Sequence, residues 1–458
     1  MKSITTNKHK ILNDPIYGFT TIHNELIFDL IEHPYYQRLR RITQLGLTYL
    51  VYPGAYHTRF HHALGAMHLM QRAIKTLQSK GHEITEEEEV AVLVAILLHD
   101  IGHGPFSHAL EHSIVNGVNH EHISMMIMDR LNEEFDGKLS LAIQIFQNKY
   151  PKLFLHQLIS SQLDVDRLDY LKRDSFYSGV SEGVINSDRI ISMFNVSNGE
   201  LVVDAKGIYS VEKFIIARRL MYWQVYLHKT VLSAEFSLVE VLKRAKLLVQ
   251  QGEDLFATSA LKTFLQNNYT LEDFNSNYRL LDLFCQLDDF DIMTSIKEWV
   301  HHSDKILSLL SQKIIQRKLL KIELQNKPFE ADYILKIQQK TERYYDINAS
   351  ESKHLVFSNK INNKAYNPKK DKINLLEKPL EGDSYKIRQI LDGTVNFELM
   401  TFKLLAKSFS VLKTQEEIDY ELDSFEAQLI NDDLIVGTTE DKQGLMGVFS
   451  FKRILENK

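Results

Sequence analysis

The sequence predicts a mainly α-helical protein, with a helical bundle followed by a smaller mixed α/β region. Nine consecutive apolar residues, from Val90 to Leu98, indicate a helix that is buried on every side, as at the centre of a bundle. After residue 325 the apolar runs become shorter and are separated by Asn, Asp and Gly, which favours a mixed α/β fold. We therefore predict a core at residues 1–325 and a smaller region at residues 326–458 that packs on the core and at subunit interfaces.

The first helices are marked by their ends. The segment from Glu25 to Leu50 has apolar residues at helical spacing, with Pro34 near a helix start and Gly46 at an expected helix end, and predicts two short helices. A longer helical stripe follows in residues 59–77. Four glutamates after Thr85 mark the start of the apolar helix, because carboxylates are stabilised at the positive end of the helix dipole.

The other predicted core elements are further helices and one hairpin. Residues 160–174 and 211–249 have apolar residues at helical spacing. Between them, residues 199–210 (GELVVDAKGIYS) predict a small β-hairpin, because a short apolar strand pattern is flanked by turn-forming residues.

Composition disfavours several classes of protein. The longest apolar run is far short of the roughly 18 residues that a membrane-spanning helix needs, and the N-terminus lacks the apolar segment of a secretory signal. The single cysteine, Cys285, lies in an apolar stretch and allows no disulfide framework, so we predict a buried Cys285 and a cytoplasmic protein. The net charge of −6 argues against nucleic acid as the main partner, and the basic stretch at residues 359–372 predicts a solvated loop.

Histidines are concentrated in one part of the chain. Eleven of the 19 histidines lie between His57 and His122. At the end of the apolar helix, His99, Asp100 and His103 put three polar side chains inside the protein, where a divalent cation would satisfy them together. A mixed histidine and carboxylate set suits a transition metal or an ion of the Mg and Mn class, rather than a structural zinc held by thiolates.

Two other segments offer the remaining ligands for this cation. The motif RFHH supplies His61 or His62, and the motif LDVDRLDY supplies Asp164, Asp166 or Asp169. The glycines and the proline of GHGP, which follow the apolar helix, end it and leave room for a substrate to approach the backbone. The residues by themselves therefore predict a metal site open to a ligand.

Four motifs in this order, RFHH, HDIGHGPFSH, NHEH and DVDRLDYLKRD, resemble those of the HD-domain deoxynucleoside triphosphate triphosphohydrolases (dNTPases). The resemblance covers more than half of the chain, is strongest in residues 93–108 and 163–174, and is that of a bacterial member to the catalytic part of the animal dNTPase. It implies that the predicted bundle is an HD-domain helical bundle.

The resemblance also assigns roles to individual residues. The metal ligands that it implies are His62, His99, Asp100 and Asp166. The catalytic residues that it implies are His103, His108, Glu111, His120 and Glu121. The substrate-binding residues that it implies are Gln44, Leu45, Arg59, Arg167, Tyr170, Asp174, Arg218, Tyr222 and Tyr226. The residues that it implies for a nucleotide effector are Gln37, Arg40, Arg317 and Lys321.

Helical spacing agrees with part of this set. The groups that it places on shared helix faces are Asp166 with Tyr170 and Asp174, Arg218 with Tyr222 and Tyr226, and Arg317 with Lys321. The last pair would present two cations to a triphosphate. Ordinary core packing and solvated basic residues account for the same patterns without a ligand.

The activity that the resemblance implies is metal-dependent hydrolysis of dNTPs to a deoxynucleoside and inorganic tripolyphosphate, with activation by nucleotide effectors. It implies one principal site for a divalent cation of the Mn, Mg, Fe, Zn or Ni class, and a homo-oligomer, with a tetramer favoured. The alternatives are another HD phosphohydrolase, such as a nucleoside monophosphatase, and a nucleotide sensor without turnover. A binding protein gains nothing from acid and base groups beside a metal site, which favours the enzyme.

Overall fold

The computed structural model divides the chain into two compact units, Met1–Gln389 and Ile390–Lys458. The residues it describes are 10–106, 113, 117–325, 327–361, 373–377, 386–390, 422–431, 434–441 and 446–452. The first unit is mainly helical and the described part of the second is a β-sheet, which confirms the predicted fold class. The domain boundary near residue 325 stays a prediction.

The described α-helices lie in the first unit. They are α1 (Glu25–Glu32), α2 (Pro34–Gln37), α3 (Arg59–Ser79), α4 (Glu86–Leu98), α5 (His120–Glu134), α6 (Ser140–Phe146), α7 (Leu153–Ile159), α8 (Val165–Ser178), α9 (Ser187–Ser192), α10 (Ile208–Met221), α11 (Lys229–Gln250), α12 (Ser259–Gln266), α13 (Leu271–Ser276), α14 (Tyr278–Phe284), α15 (Asp289–Trp299), α16 (Lys305–Ile315), α17 (Ala331–Tyr345) and α18 (Ala349–Ser352).

The described strands form three sheets. They are β1 (Lys10–Asp14), β2 (Gly18–Ile22), β3 (Phe194–Ser197), β4 (Glu200–Asp204), β5 (Ile373–Glu377), β6 (Lys386–Ile390), β7 (Leu422–Asn431), β8 (Leu434–Asp441) and β9 (Met446–Lys452). The pair β1 and β2 is an antiparallel hairpin, and the second sheet has the order β3-β4-β5-β6, with β4 and β5 parallel. The antiparallel sheet β7-β8-β9 belongs to the second unit.

The apolar helix α4 is central to the first unit, as predicted. Every residue from Ala91 to Leu98 is buried, and α4 packs against α3 and α6. Its start is fixed by a capping box, in which the Thr85 side chain accepts from the Glu88 backbone N–H and the Glu88 carboxylate accepts from the Thr85 backbone N–H. A cap of this kind stabilises a helix by about 1 kcal/mol. The segment His99–Asp100 therefore leaves α4 inside the protein.

Two predicted elements differ in detail. Pro34 is the first residue of α2, but Gly46, at φ +50°, opens a 3-10 turn (Gly46–Leu50) rather than ending the helix. The predicted hairpin begins earlier than expected, because Asn198 and Gly199 form its two-residue turn with positive φ angles of 54° and 79°. The segment after β4 turns into α10 instead of forming a strand.

Cys285 is buried, as predicted. None of the helices in the described ranges combines the length and apolarity that crossing a bilayer requires. The basic stretch falls largely outside the described residues, since it is described only as far as residue 361.

Candidate active site

Three elements bring a histidine and carboxylate cluster together beneath the end of α4. His62 lies on α3, His99 follows α4, and Asp166 lies in the first turn of α8. Asp166 Oδ1 is 3.1 Å from His62 Nε2 and 3.5 Å from His99 Nε2. Asp100 joins the cluster, with its Oδ1 3.5 Å from His99 Nε2 and its Oδ2 3.9 Å from His62 Nε2. Three of the predicted metal ligands, His62, His99 and Asp166, therefore form one group, and the fourth, Asp100, lies beside it.

The tautomers of the two histidines suit a cation. His62 Nδ1 lies 2.8 Å from Asp169 Oδ2, and His99 Nδ1 lies 2.7 Å from the carbonyl oxygen of Ile96, so each Nδ1–H donates to an oxygen. Both Nε2 atoms are buried and face the carboxylates of Asp166 and Asp100, but neither makes a well-aligned hydrogen bond within the described part of the chain. Two buried nitrogens aimed at two carboxylates fit a divalent cation, because the cation would satisfy all of them. The residues therefore fit the metal that the resemblance implies.

Of the alternatives that the sequence left open, His61 and Asp164 serve the backbone. His61 Nδ1 accepts from the Thr58 backbone N–H at 3.2 Å in the capping box of α3. Asp164 is the N-cap of α8 and accepts from the backbone N–H groups of Ser161 and Arg167, both at 2.7 Å. Neither residue lies with the cluster of His62, His99 and Asp166.

The carboxylates of the cluster favour a protonated His62. Burial opposes the charged form of His62, but the carboxylates of Asp166 and Asp169 outweigh burial and raise its pKa to about 10. Burial raises the pKa of Asp166, but the neighbouring His62 and His99 lower it by more. The pKa of Asp166 is therefore below its usual value, and this carboxylate stays ionised. The cluster is therefore a carboxylate site that carries a proton on His62 at neutral pH.

We expect the binding of one metal ion near pH 7.5 to release at least about one proton, because His62 must lose its Nε2 proton to bind a cation. Below about pH 10 that proton competes with the metal, so the affinity should rise with pH and fall as the solution becomes more acidic. Calorimetric titration with Mn²⁺ in buffers of different ionisation enthalpy measures the proton count. An affinity that stays constant between pH 6.5 and 8.5 would contradict the assignment of His62.

His103 and His120 form a stacked pair next to the cluster. Their ring centroids are 3.8 Å apart at an interplanar angle of 13°, and His103 Nε2 is 3.3 Å from Asp100 Oδ1. Burial and the charge of Arg59 lower the pKa of His103 to about 3, so its ring is neutral over the ordinary pH range. A neutral imidazole keeps a free nitrogen lone pair, which is the form of the ring that a general base needs.

Gly102 makes this stacking possible. A Cβ atom at Gly102 would lie 2.3 Å from both the His120 carbonyl oxygen and the Ser124 backbone nitrogen. The Ser124 hydroxyl accepts from the Gly102 N–H and donates to the His99 carbonyl, each at 2.9 Å. The start of α5 thus rests directly on the segment that carries His99 and His103. Asp100, His103 and His120 form a second group whose ligand atoms lie within 4.8 Å of one another.

The other predicted catalytic residues are less informative. Glu121 lies in the first turn of α5 with an exposed side chain. His108 and Glu111 lie outside the described residues. Their catalytic roles stay predictions.

The predicted phosphate-binding arginines are engaged with carboxylates. Arg59 Nη1 lies 2.7 Å from Asp100 Oδ2, and Arg167 forms an ion pair with Asp164. Arg218 is buried, and its Nη1 donates to Gln162 Oε1 at 3.2 Å. Arg59 is therefore in contact with one of the predicted metal ligands.

The predicted sugar and base residues form an aromatic wall. Tyr226 has ring centroid distances of 6.3 Å to Tyr170 and 5.1 Å to Tyr222, both in edge-on geometry. The Tyr226 hydroxyl donates to Asp174 Oδ2 at 2.7 Å. His57, which the sequence did not single out, lies with its Nε2 2.7 Å from Asp174 Oδ1. His57 belongs to the histidine-rich window, but only the folded chain brings it to Asp174.

The segment with Gln44 and Leu45 lies between two 3-10 turns, Arg38–Arg41 and Gly46–Leu50. The Gln44 backbone N–H donates to the carbonyl oxygen of His57 at 2.9 Å. The side-chain Oε1 of Gln44 is buried and has no hydrogen-bond partner among the residues that the structure describes. Gln44 is therefore tied to the same segment as His57 and Arg59.

The geometry predicted for the effector residues is partly wrong. Helix α16 ends at Ile315, and Arg317 has a positive φ of 54°, so Arg317 and Lys321 are not one turn apart on a helix. The Lys318 N–H donates to the carbonyl oxygen of Lys313 at 2.8 Å, which closes the helix end. Arg317 Nε instead donates to the Leu50 carbonyl at 2.6 Å.

The other effector residues pair locally. Arg40 Nε donates to Gln37 Oε1 at 2.8 Å, and its guanidinium lies 3.6 Å from the Phe60 ring centroid. Lys321 is exposed and forms an ion pair with Glu323 at 3.0 Å. The effector role of all four residues stays a prediction.

Comparison with known proteins identifies two family regions. Residues 59–174 match the HD domain, and residues 185–247 match the HD-associated region. The HD domain match begins at Arg59 and ends at Asp174, so it spans the predicted metal ligands. The HD-associated region includes α10 and much of α11.

Similar proteins come from bacteria and eukaryotes. The uncharacterized protein YwfO of Bacillus subtilis is 35% identical, over 68% of this chain and 71% of its own. A deoxynucleoside triphosphate triphosphohydrolase SAMHD1 homolog of Dictyostelium discoideum is 32% identical, over 54% of this chain and 51% of its own. The crystal structure of a phosphohydrolase from Bacteroides thetaiotaomicron is 50% identical, covers 87% of this chain and 97% of its own, and superposes with a TM-score of 0.81.

Proposed function

Since the chain belongs to the HD-domain phosphohydrolases, we propose that it hydrolyses dNTPs to a deoxynucleoside and inorganic tripolyphosphate. The observation that carries this proposal is the convergence of His62, His99, Asp100 and Asp166, with the stacked histidines beside them. The dNTPase named among the similar proteins supports the choice of substrate. About half of that protein's length is matched, so the substrate is our inference for this chain.

The four converging side chains would hold the cation. A divalent cation at this position neutralises phosphate charge and makes water more acidic. In this hydrolysis the water oxygen forms a bond to the α-phosphorus as the bond from that phosphorus to the 5′-oxygen breaks. The water gives up one proton, and the 5′-oxygen of the leaving deoxynucleoside takes up one proton. His103 and His120, which stack on each other beside the cluster, would handle these protons.

The remaining residues would bind and orient the nucleotide. Arg59 and Arg218 carry the positive charge that a triphosphate needs. The aromatic wall of Tyr170, Tyr222 and Tyr226 offers ring surfaces and hydroxyl groups to a sugar and a base. We also propose that nucleotide effectors bind at Gln37, Arg40, Arg317 and Lys321 and that the protein assembles into a homo-oligomer, with a tetramer favoured.

We expect each dNTP that is turned over with Mn²⁺ or Mg²⁺ to give deoxynucleoside and tripolyphosphate in a one-to-one ratio. Anion-exchange chromatography separates these products from deoxynucleoside monophosphate, pyrophosphate and single phosphate. Excess chelator should stop the reaction. Monophosphate as the primary product would overturn the proposed bond cleavage. Binding of dNTPs without any turnover by the metal-loaded protein would favour the sensor.

A further inference from the structure

Three buried charged side chains lie in a row behind His62, on the side away from the metal cluster. Asp169 Oδ2 is 2.8 Å from His62 Nδ1. Arg173 binds Asp169 with two donors, Nε to Oδ2 and Nη2 to Oδ1, both at 2.9 Å. The remaining nitrogen of Arg173, Nη1, is 2.9 Å from Asp14 Oδ2. The side chains of Asp169 and Arg173 are fully buried, and that of Asp14 is 7% exposed.

Helix α3 is shaped to admit this row. Gly65 lies three residues after His62 and therefore on the same side of α3. A Cβ atom at Gly65 would lie 2.1 Å from both Arg173 Nη2 and Asp169 Oδ1. The Asp169–Arg173 pair is buried and held by two parallel hydrogen bonds, so moving it to make room for a Cβ atom would cost free energy. The chain therefore keeps a glycine inside a long helix, at a cost of about 1 kcal/mol relative to alanine.

The far end of the row belongs to the N-terminal hairpin. Asp14 is the last residue of β1, and its Oδ1 accepts from the backbone N–H groups of Ile16 and Tyr17 at 2.8 and 3.1 Å. The guanidinium of Arg173 also lies 5.7 Å from the Tyr17 ring centroid. The carboxylate that shapes the turn of the hairpin thus contacts the cation that holds Asp169.

Removing charges from water is expensive, so a buried row of this kind needs a further reason to exist. Two carboxylates and one guanidinium carry a net charge of −1, and the end of the row that faces the metal cluster is negative. A carboxylate on Nδ1–H fixes the ring of a histidine and makes Nε2 a stronger ligand. Both effects act on His62, whose Nε2 faces the cluster.

We propose that Asp169, Arg173 and Asp14 are positioning residues that hold His62 for the cation and make metal affinity depend on the docking of the N-terminal hairpin. The inference rests on the metal site of the proposed function. Gly65 contributes to the same arrangement, because the absence of a Cβ atom lets the Asp169–Arg173 pair lie against α3 within reach of His62. These residues act on the cation only through His62.

The test measures Mn²⁺ affinity directly, by electron paramagnetic resonance of free Mn²⁺, together with the melting temperature in chelator. Asp169→Asn and Gly65→Ala should each raise the Mn²⁺ dissociation constant by about 10- to 100-fold. Asp14→Asn retains an acceptor for the turn but removes the negative charge that faces Arg173, and it should raise the Mn²⁺ dissociation constant by a smaller factor. Asp304→Asn is the matched control, because it removes a two-donor ion pair with Arg244 between α11 and α16.

A merely structural role predicts lower melting temperatures with unchanged affinity for Mn²⁺, and that result in Asp169→Asn would overturn the proposal. If Asp169→Asn does not fold, Asp14→Asn decides, since an unchanged dissociation constant there overturns the coupling to the hairpin. The control should match the wild type in affinity. The two proposals can fail separately. If the wild type does not hydrolyse dNTPs but the variants bind Mn²⁺ more weakly than it does, this inference is supported and the proposed reaction is overturned.

Discussion

Asp166→Ala should abolish dNTP hydrolysis and sharply lower the metal content of the purified protein, while the fold persists. Asp166 Oδ1 faces the Nε2 atoms of both His62 and His99 at 3.1 and 3.5 Å, so its loss removes a carboxylate that both histidines share. The side chain is 23% exposed, and its truncation removes little core volume. Activity, metal content by mass spectrometry and circular dichroism measure the three expectations.

The control for this variant is Asp188→Ala. Asp188 forms a surface ion pair with Arg72, and a pair of this kind contributes little to stability. Its metal content and activity should equal those of the wild type. If Asp166→Ala kept its metal and its rate, the cluster would not be the catalytic centre, and Asp100, His103 and His120 would be the next group to test.

The elements of the bundle could be predicted because their signals are local. The capping box at Thr85, the apolar run of α4 and the proline of α2 each act within a few residues. Helix ends without a glycine are harder. Arg317 adopts a positive φ that an arginine rarely takes, so a pattern of basic residues suggested a helix beyond its actual end.

Part of the candidate site could also be predicted, because the metal motifs are short. His99 and Asp100 are neighbours, and the resemblance to dNTPases pointed to His62 and Asp166. The partners of these residues were missed for a physical reason. Asp169 and Asp174 looked like further carboxylates on one helix, and only packing shows that they contact His62 and His57. Contacts between distant segments leave no periodic pattern in a sequence.

Asp289 illustrates the same limit. Its carboxylate accepts from the Thr43 N–H and hydroxyl and from the Phe106 N–H, across 246 and 183 residues. Phe106 has a positive φ of 47° and follows the segment that carries His103. The first residue of α15 therefore holds together the segments on either side of the site, and nothing in the sequence around Asp289 indicates this.

His103→Ala should keep its metal yet lose turnover by about 10²- to 10⁴-fold, because proton transfer by a positioned side chain contributes a factor of this size. The His103 ring is neutral and buried, with Nε2 3.3 Å from Asp100 Oδ1. Its removal therefore takes no charge away from the metal site. Single-turnover rates and Mn²⁺ affinity separate the two effects.

His120→Ala should behave similarly, since His120 stacks on His103, and the double variant should lose little more than either single variant if the two histidines act as one unit. His301→Ala, an exposed histidine after α15, is the control and should leave both rate and affinity unchanged. Losses that multiply in the double variant would mean that the two histidines serve separate steps. Rates near that of the wild type in both single variants would reduce the stacked pair to packing, and the proton transfers would then fall to residues outside it, such as the exposed Glu121.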